Sequence, residues 1–503
     1  MPCHSKGACH TCRRRRVKCD LGKPRCQKCS AAGVECLGYD NLILWVDGVA
    51  SRGKMMGKSF PKGPDISSSA EIPIPIPHNF FIHHVGGDRN ETTLYDSLLH
   101  PWLQNLNHQT RHYLAHFLVN VANDLAVYNL PSQKLSPFRL LLEFADRSPA
   151  LFQIIIAISA THMHNLLASV SITPAEQVYT LRARGKAYRL LNQELNNLNP
   201  SNYTPVLASL MLLGEIAVLE SSDDTWRIHI SAAANLVRSI ITSYSTAADH
   251  SDSDECSLRS WTITRLILQD TFGSTLSSSR ANWDVPELCA AINGIDTALK
   301  YAEVEHYTAC PSQIFSLIQA APSLYDTNTA FPCCSPSTQC IFLRIQQFDP
   351  TSWTTQLQSL TPANDSTERY HVSSAYKAAA TLYALQVVPD RYSCEHIPAR
   401  SDDLVDSILH HISQVSCNHP LFKSTIWPIH IAGAESGDDH RRSAVLQHIR
   451  CLARILPWQS LLGAEQVLKE FWARMDSLTS GVAHVRPRWL AEFQAMGVAI
   501  YPA

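Results

Sequence analysis

Six cysteines near the start of the chain carry the clearest chemistry. They read Cys9-x2-Cys12-x6-Cys19-x6-Cys26-x2-Cys29-x6-Cys36. An offset of 17 residues maps Cys9, Cys12 and Cys19 onto Cys26, Cys29 and Cys36, and Val17 onto Val34. Each half is therefore a Cys-x2-Cys pair followed by a third cysteine. The short spacing lets two thiolates reach one ion from a single turn. Zinc takes four tetrahedral ligands, and thiolates suit it. Six thiolates cannot fill two separate sites of four. The simplest closed arrangement is two Zn2+ ions sharing two bridging thiolates, with three ligands from each half. One site of four cysteines with two left over is the weaker arrangement. His4 and His10 have the right chemistry, but six thiolates already close a two-ion site.

The metal has to do the folding. Only Val17, Leu21, Val34 and a few alanines are apolar in this stretch, so it cannot build a core. Structural zinc supplies about 10–16 kcal/mol in comparable small domains.

The two halves share spacing but not charge. Arg13, Arg14, Arg15, Arg16 and Lys18 surround Val17 in the first half, whereas Ser30 to Glu35 contain no base. Metal binding requires no such asymmetry. Arginine can donate two hydrogen bonds to guanine O6 and N7 in the major groove of double-stranded DNA. Lys23, Arg25 and Lys28 are placed to meet phosphates, which position a protein without specifying sequence. The first half is expected to be a short helix with its basic end toward DNA, and the second half its structural counterweight. A solvated face and a nuclear import signal are compatible uses of the same arginine run.

This segment resembles the fungal zinc binuclear cluster, the Zn2Cys6 DNA-binding module of Gal4-like regulators. The cysteine spacing, the basic run before Cys19, and Lys23-Pro24-Arg25-Cys26 carry the likeness. The resemblance implies that Cys9 and Cys26 bridge the two metals. One zinc would take Cys9, Cys12, Cys19 and Cys26, and the other Cys26, Cys29, Cys36 and Cys9. It also implies base reading at Arg15 and Arg16, CGG-type triplets as targets, and a turn at Pro24. Gly38-Tyr39 and the stretch Leu44 to Lys54 look like a subset that includes acriflavine-sensitivity-type proteins. That subset carries a fungal-specific transcription factor domain of the second type. Pro137-Phe138-Arg139, Ser148 to Leu151 and Thr225 to His229 extend the likeness into the rest of the chain. Many relatives follow the cluster with a dimerising coiled coil. Residues 37–70 show no three heptads of apolar residues, so monomeric binding or a homodimer through the body is expected instead.

Three segments are expected: residues 1–37 as the zinc module, 38–91 as linker, and 92–503 as an all-α regulatory domain. The linker holds Ile72-Pro73-Ile74-Pro75-Ile76-Pro77, which forbids helix. Its Gly53 to Ser59 stretch is one residue short of a phosphate loop, and no strand precedes it. The body has helical periodicity. Leu114, Phe117, Leu118, Val121, Leu125 and Tyr128 step by three and four, as do Trp226, Ile230, Ala233, Val237 and Ile240. Thr173-Pro174-Ala175-Glu176 opens a helix to about Leu198. Thr204-Pro205 opens another, apolar nearly all round from Val206 to Leu219, which should be central. Further helices are expected at 366–387, 402–416, 438–456 and 464–478, with loops near 246–257 and 323–340.

Composition agrees with this division. Over 503 residues the net charge is −2, but residues 1–62 carry +9 and residues 63–503 carry −11. A basic head on an acidic body suggests a nucleic-acid arm joined to something else. The 45% hydrophobic content rules out wholesale disorder. The start has no apolar leader and the end no lipidation box, so secretion and anchoring are not expected. No uninterrupted apolar run reaches 18 residues, so no membrane span is expected. The body holds no Gly-x-Ser-x-Gly, His-Glu-x-x-His or Gly-x-Gly-x-x-Gly. His162 and His164 face different ways on a buried helix, His410 and His411 read as helix surface, and Trp226 and Trp472 as core.

The expected function is a nuclear, sequence-specific transcription factor of RNA polymerase II genes, in contact with the transcription machinery and not an enzyme. A pathway-specific role in secondary metabolism or drug resistance fits it. The competing reading is a zinc-stapled protein-interaction module on a helical scaffold, without DNA readout. An enzyme with a zinc-stapled head ranks third.

Overall fold

The computed structural model describes, in the head, residues 8–9, 11–12, 15–22, 25–34 and 36. In the body it describes 106–128, 136–167, 174–220, 224–244, 253–277, 295–324, 341–358, 364–388, 400–479, 488–497 and 500–501. The linker, with its proline repeat and its Gly53 to Ser59 stretch, lies outside these residues. The chain divides into two compact units, Met1–Glu71 and Ile72–Ala503.

Among the described residues of the first unit, one short helix, α1 (Gln27–Ala31), is complete, and Thr11 and Cys12 belong to a second helical turn. The second is helical throughout its described part. Among the described residues its single bridge, Ala126 to His306, belongs to no sheet. In chain order the elements begin with α2 (His108–His116), which runs on through a π-helical turn at Phe117–Val121 to Asp124. Then come α3 (Pro137–Ala145), α4 (Pro149–Leu167), α5 (Pro174–Asn196), α6 (Tyr203–Glu220), α7 (Trp226–Tyr244) and α8 (Ser253–Thr275). After these follow α9 (Ile295–Glu305), α10 (Ser312–Leu324), α11 (Ile341–Gln347), α12 (Pro350–Gln358) and α13 (Ser366–Val387). The last are α14 (Ser401–Ser413), α15 (Ile426–Glu435), α16 (Asp439–Ile455), α17 (Gln459–Thr479) and α18 (Trp489–Met496).

Two helices organise the body. Every residue of α6 from Tyr203 to Leu219 is buried, as expected for a helix with no polar stripe. It packs against α4, α7, α8 and α17. The other organiser is α13, in contact with α10, α14, α15 and α12. An aromatic knot ties the stacks together: Trp427 of α15 stacks on Tyr376 of α13 and meets Phe272 of α8, both at 5.4 Å between centroids. The Trp427 indole N–H donates to Thr275 Oγ1 at 2.9 Å, which satisfies its one polar atom. Trp226 and Trp472 are core residues, as expected.

Several boundaries differ from the sequence reading. The predicted loop at 246–257 runs too far, because Ser253 already starts α8. Asp254 and Glu255 are not a solvated acidic loop but the first turn of that helix, where negative charge is favourable. Glu255 also pairs with Arg259 at 3.0 Å and accepts from the Thr204 hydroxyl at 2.9 Å. The step-by-three-and-four pattern to Tyr128 overruns: helix stops at Asp124, and the Leu125 carbonyl accepts from Arg265 Nη1 at 2.7 Å. The last predicted helix starts earlier, at Gln459. Two helices, Pro149–Leu167 and Pro200–Glu220, are by length and composition apolar enough to cross a bilayer. Both are mostly buried inside the body. An uninterrupted-run criterion overlooked them because isolated polar residues such as His162 and Glu215 sit among the apolar ones.

Glycine 273 explains one close approach. A Cβ there would lie 2.3 Å from the Trp226 ring, so the indole rests on bare helix backbone. Gly185 in α5 has open space at the same position. Alanine is the better helix former at both sites, by about 0.5–1 kcal/mol. Gly185→Ala should therefore stabilise the protein by about that amount. Gly273→Ala should destabilise it by about 1–3 kcal/mol through overpacking. Urea denaturation of the two variants side by side checks this; equal midpoints for both would remove the packing argument.

Candidate metal centre and DNA-facing surface

The head is built around sulfur. Cys9, Cys12, Cys26 and Cys29 are fully buried, and Cys19 and Cys36 close the cluster from its edge. The two halves repeat each other in backbone as well as sequence. The Cys9 N–H donates to Cys19 Sγ, and the Cys26 N–H to Cys36 Sγ, both at 3.4 Å. The Cys12 and Cys29 N–H groups donate to Cys9 and Cys26 Sγ, both at 3.3 Å. Val17 N–H bonds to the Cys12 carbonyl at 3.0 Å, and Val34 N–H to that of Cys29 at 3.1 Å. The matched valines in the sequence are thus matched hydrogen-bond donors.

The sulfurs form two quartets, each with its ligand atoms within 4.8 Å of one another: Cys9, Cys12, Cys19, Cys26 and Cys9, Cys26, Cys29, Cys36. The quartets share Cys9 and Cys26, whose sulfurs are 3.6 Å apart. Four thiolates at about 2.3 Å from a central zinc stand about 3.8 Å from one another, so these spacings fit two tetrahedral ions. Cys12 and Cys29 Sγ are also 3.8 Å apart, so all six sulfurs fill one volume. Burial pushes the Cys9 thiol up to about 12 and also raises Cys12 and Cys26. A thiol in such surroundings keeps its proton unless a cation replaces it. Backbone N–H groups aimed at sulfur suit the anionic form, and the donor set therefore fits zinc. Among the described residues no other cluster of three or more ligands has metal-binding spacing.

The turn before the third cysteine differs between the halves in one respect. Arg16 has φ of 56°, and its counterpart 17 residues on is Gly33 with φ of 63°. Glycine takes this left-handed conformation at no steric cost, while a side chain there costs about 1–2 kcal/mol. The first half thus places a charged side chain where the second has none. Arg15, Arg16, Lys18, Arg25 and Lys28 are all exposed. Arg13, Arg14, Lys23, Pro24 and His10 lie outside the described residues. The first-half helix is described only at Thr11 and Cys12.

Asp20 is a contributor that the sequence reading missed. Its Oδ2 accepts from Gln27 N–H at 3.0 Å and its Oδ1 from Lys28 N–H at 3.1 Å. Those bonds, Gln27 first, hold its carboxyl below the usual range. An acidic residue seven positions before a helix gives no local capping signal, because the intervening turn brings it back.

The body histidines resolve differently. His162 Nδ1 meets His116 Nε2 at 3.0 Å and its Nε2 meets Asp124 at 2.7 Å, a buried polar chain. His410 is exposed, while His411 is half-buried against His371 at 3.0 Å. Cys333, Cys334 and Cys340, a late cysteine cluster whose sequence reads as a loop of free thiols, lie outside the described residues.

Two family models match the chain. The Fungal Zn(2)-Cys(6) binuclear cluster domain matches residues 7–45, and the Fungal specific transcription factor domain matches residues 112–500. The second match alone spans most of the chain. The protein belongs to the fungal zinc-cluster transcription factors. It carries a structural two-zinc cluster, binds DNA through that module and acts in the nucleus. Both matched modules are regulatory and neither is catalytic. The acriflavine sensitivity control protein acr-2 of Neurospora crassa is similar over its whole length: 23% identical, covering 98% of this chain and 97% of that protein. The pestheic acid cluster transcriptional regulator 3 of Pestalotiopsis fici is 52% identical over 9% of this chain and 8% of its own. The arginine metabolism regulation protein II of Saccharomyces cerevisiae is 51% identical over 7% and 4%. These two matches cover only short segments of each chain. No solved structure matches.

Proposed function

We propose that this transcription factor is a pathway-specific regulator that reads CGG-type triplets in the major groove. Residues 1–37 are the reader, 38–91 the linker and 92–503 the regulatory body. Cys9, Cys12, Cys19 and Cys26 hold one zinc; Cys26, Cys29, Cys36 and Cys9 hold the other, with Cys9 and Cys26 bridging. Arg15 and Arg16 contact base edges. Lys23, Arg25 and Lys28 contact phosphates, and Arg13, Arg14 and Lys18 belong to the same DNA-binding set. The body supplies homodimer contacts and a surface for the transcription machinery. Its two long apolar helices serve its core, so it needs no membrane partner.

The observation that carries this reading is the broken symmetry of the head. The two halves share their sulfur and valine hydrogen bonds, yet only the first presents a basic turn, and there an arginine occupies a conformation that its twin gives to glycine. Strain at a special backbone position is retained where the side chain is used. Whole-length similarity to a protein named for acriflavine sensitivity, and short similarity to a biosynthetic-cluster regulator, support a pathway-level role in drug resistance or secondary metabolism.

Arg16→Ala should relax base preference within the triplet, at a cost of about 1–3 kcal/mol on the preferred site. Lys28→Ala should weaken all sites alike and lower the salt slope by about one. Gel shifts across salt concentrations and triplet variants check both. Uniform loss in both variants would mean that Arg16 is not a base reader. Binding to CGG sites no tighter than to random duplex would favour the interaction-module reading.

A further inference from the structure

We infer that Asp20 is a positioning residue for DNA binding: its carboxylate sets the start of α1, and with it Lys28, relative to the basic turn. This rests on the proposed phosphate role of Lys28. The zinc-bound sulfurs tie the halves together at their centre, but α1 still has to be aimed. Its first N–H groups lack partners within the helix. Asp20, adjoining Cys19 in the first half, accepts from Gln27 and Lys28, the first two residues of α1. Cys26 Sγ accepts from Cys29, the third. Two of these three donors are therefore held by a side chain of the other half. Gly22, between Asp20 and α1, is closely confined: a Cβ there would lie 3.1 Å from Asp20 Oδ2 and 3.3 Å from the Arg25 carbonyl.

The charge of Asp20 makes the inference testable. An exposed carboxylate in the same short segment as the exposed Arg15, Arg16, Lys18, Arg25 and Lys28 repels the phosphates these bases attract. By electrostatics alone, its removal should tighten DNA binding. As a positioning residue, its removal should weaken it.

The experiment uses the zinc-loaded full chain and a CGG-bearing duplex, with Asp20→Ala, Asp20→Asn, Lys28→Ala and the Asp20→Ala/Lys28→Ala pair. Zinc per chain is measured for each. Asp20→Ala should keep two zinc ions, lose about tenfold in affinity and shed about one from the salt slope, as Lys28→Ala does. Asparagine keeps one acceptor without the charge, so Asp20→Asn should bind at least as tightly as the alanine variant and recover most of the loss. The double variant should lose little beyond either single one, since both remove the same contact. Tighter binding in Asp20→Ala, or strictly additive losses, would overturn the inference. So would loss of zinc from Asp20→Ala, which would make Asp20 a folding residue. If Lys28→Ala alone left affinity and salt slope unchanged, the phosphate role of Lys28 would fail instead, and Asp20→Ala would report separately through its own affinity.

Discussion

Complete removal of zinc from the full chain should unfold residues 9–36, abolish DNA binding and leave the helical body folded. Among the described residues of the head the buried side chains are cysteines and Thr11; the larger apolar residues Val17, Leu21 and Val34 are 43%, 54% and 38% exposed. Without metal, four thiols would be buried with sulfur-directed N–H groups as their main compensation. Nothing else in the head approaches the roughly 10–16 kcal/mol that structural zinc contributes. The body has its own core, built in its described part from residues between Tyr113 and Tyr501. A chelator titration followed by gel shift and far-ultraviolet circular dichroism should therefore lose binding while keeping nearly all helical signal. Cys9→Ser should reproduce the loss at full zinc, because both sulfur quartets contain Cys9. DNA binding that survived a measured zinc content of zero would end the argument that metal folds this module.

The second large effect lies in the body. Arg265→Ala should destabilise it by about 3–5 kcal/mol, since it strands Glu215 in the core. The pair is 2.6 Å apart, with side chains 1% and 2% exposed. Arg265 also donates to the Leu125 carbonyl and stacks over the Tyr307 ring at 4.5 Å. Gln269 donates to the same Glu215 oxygen at 2.7 Å. One guanidinium thus joins α6, α8 and the chain leaving α2. Desolvating two charges is costly, and their attraction only offsets it. Replacing both, as Arg265→Met with Glu215→Leu, should therefore recover most of the stability lost by Arg265→Ala. Thermal and urea unfolding of the three proteins checks this. An Arg265→Ala variant that unfolded at the wild-type midpoint would show that water enters the site and solvates Glu215.

How much of this was legible in the sequence depended on distance along the chain. The cysteine cluster was readable because ligand spacing and the 17-residue duplication are local. Helix α5 was readable from Thr173-Pro174-Ala175-Glu176, and α6 from its lack of a polar face. The bond from Asp20 to α1 was not, because only the folded turn brings them together. The Arg265–Glu215 pair was hidden for the same reason, its members lying 50 positions apart. The start of α8 was misjudged because acidic residues look alike in a loop and in a first helical turn. The pairing of Arg16 with Gly33 was available from the duplication, since a glycine in one copy marks a backbone position with positive φ.

Apart from those to the Asp20 carboxylate, the bonds described above within the head run to cysteine sulfur and main-chain atoms. The residues between Cys12 and Cys19 are thereby relieved of folding duty. Substitutions there can retarget the reader with little risk to its fold, whereas a comparable change in the jigsaw around α6 would cost stability first. Metal-stapled architecture thus separates evolvability from robustness: binding preference can drift quickly among relatives while the frame that presents it stays put.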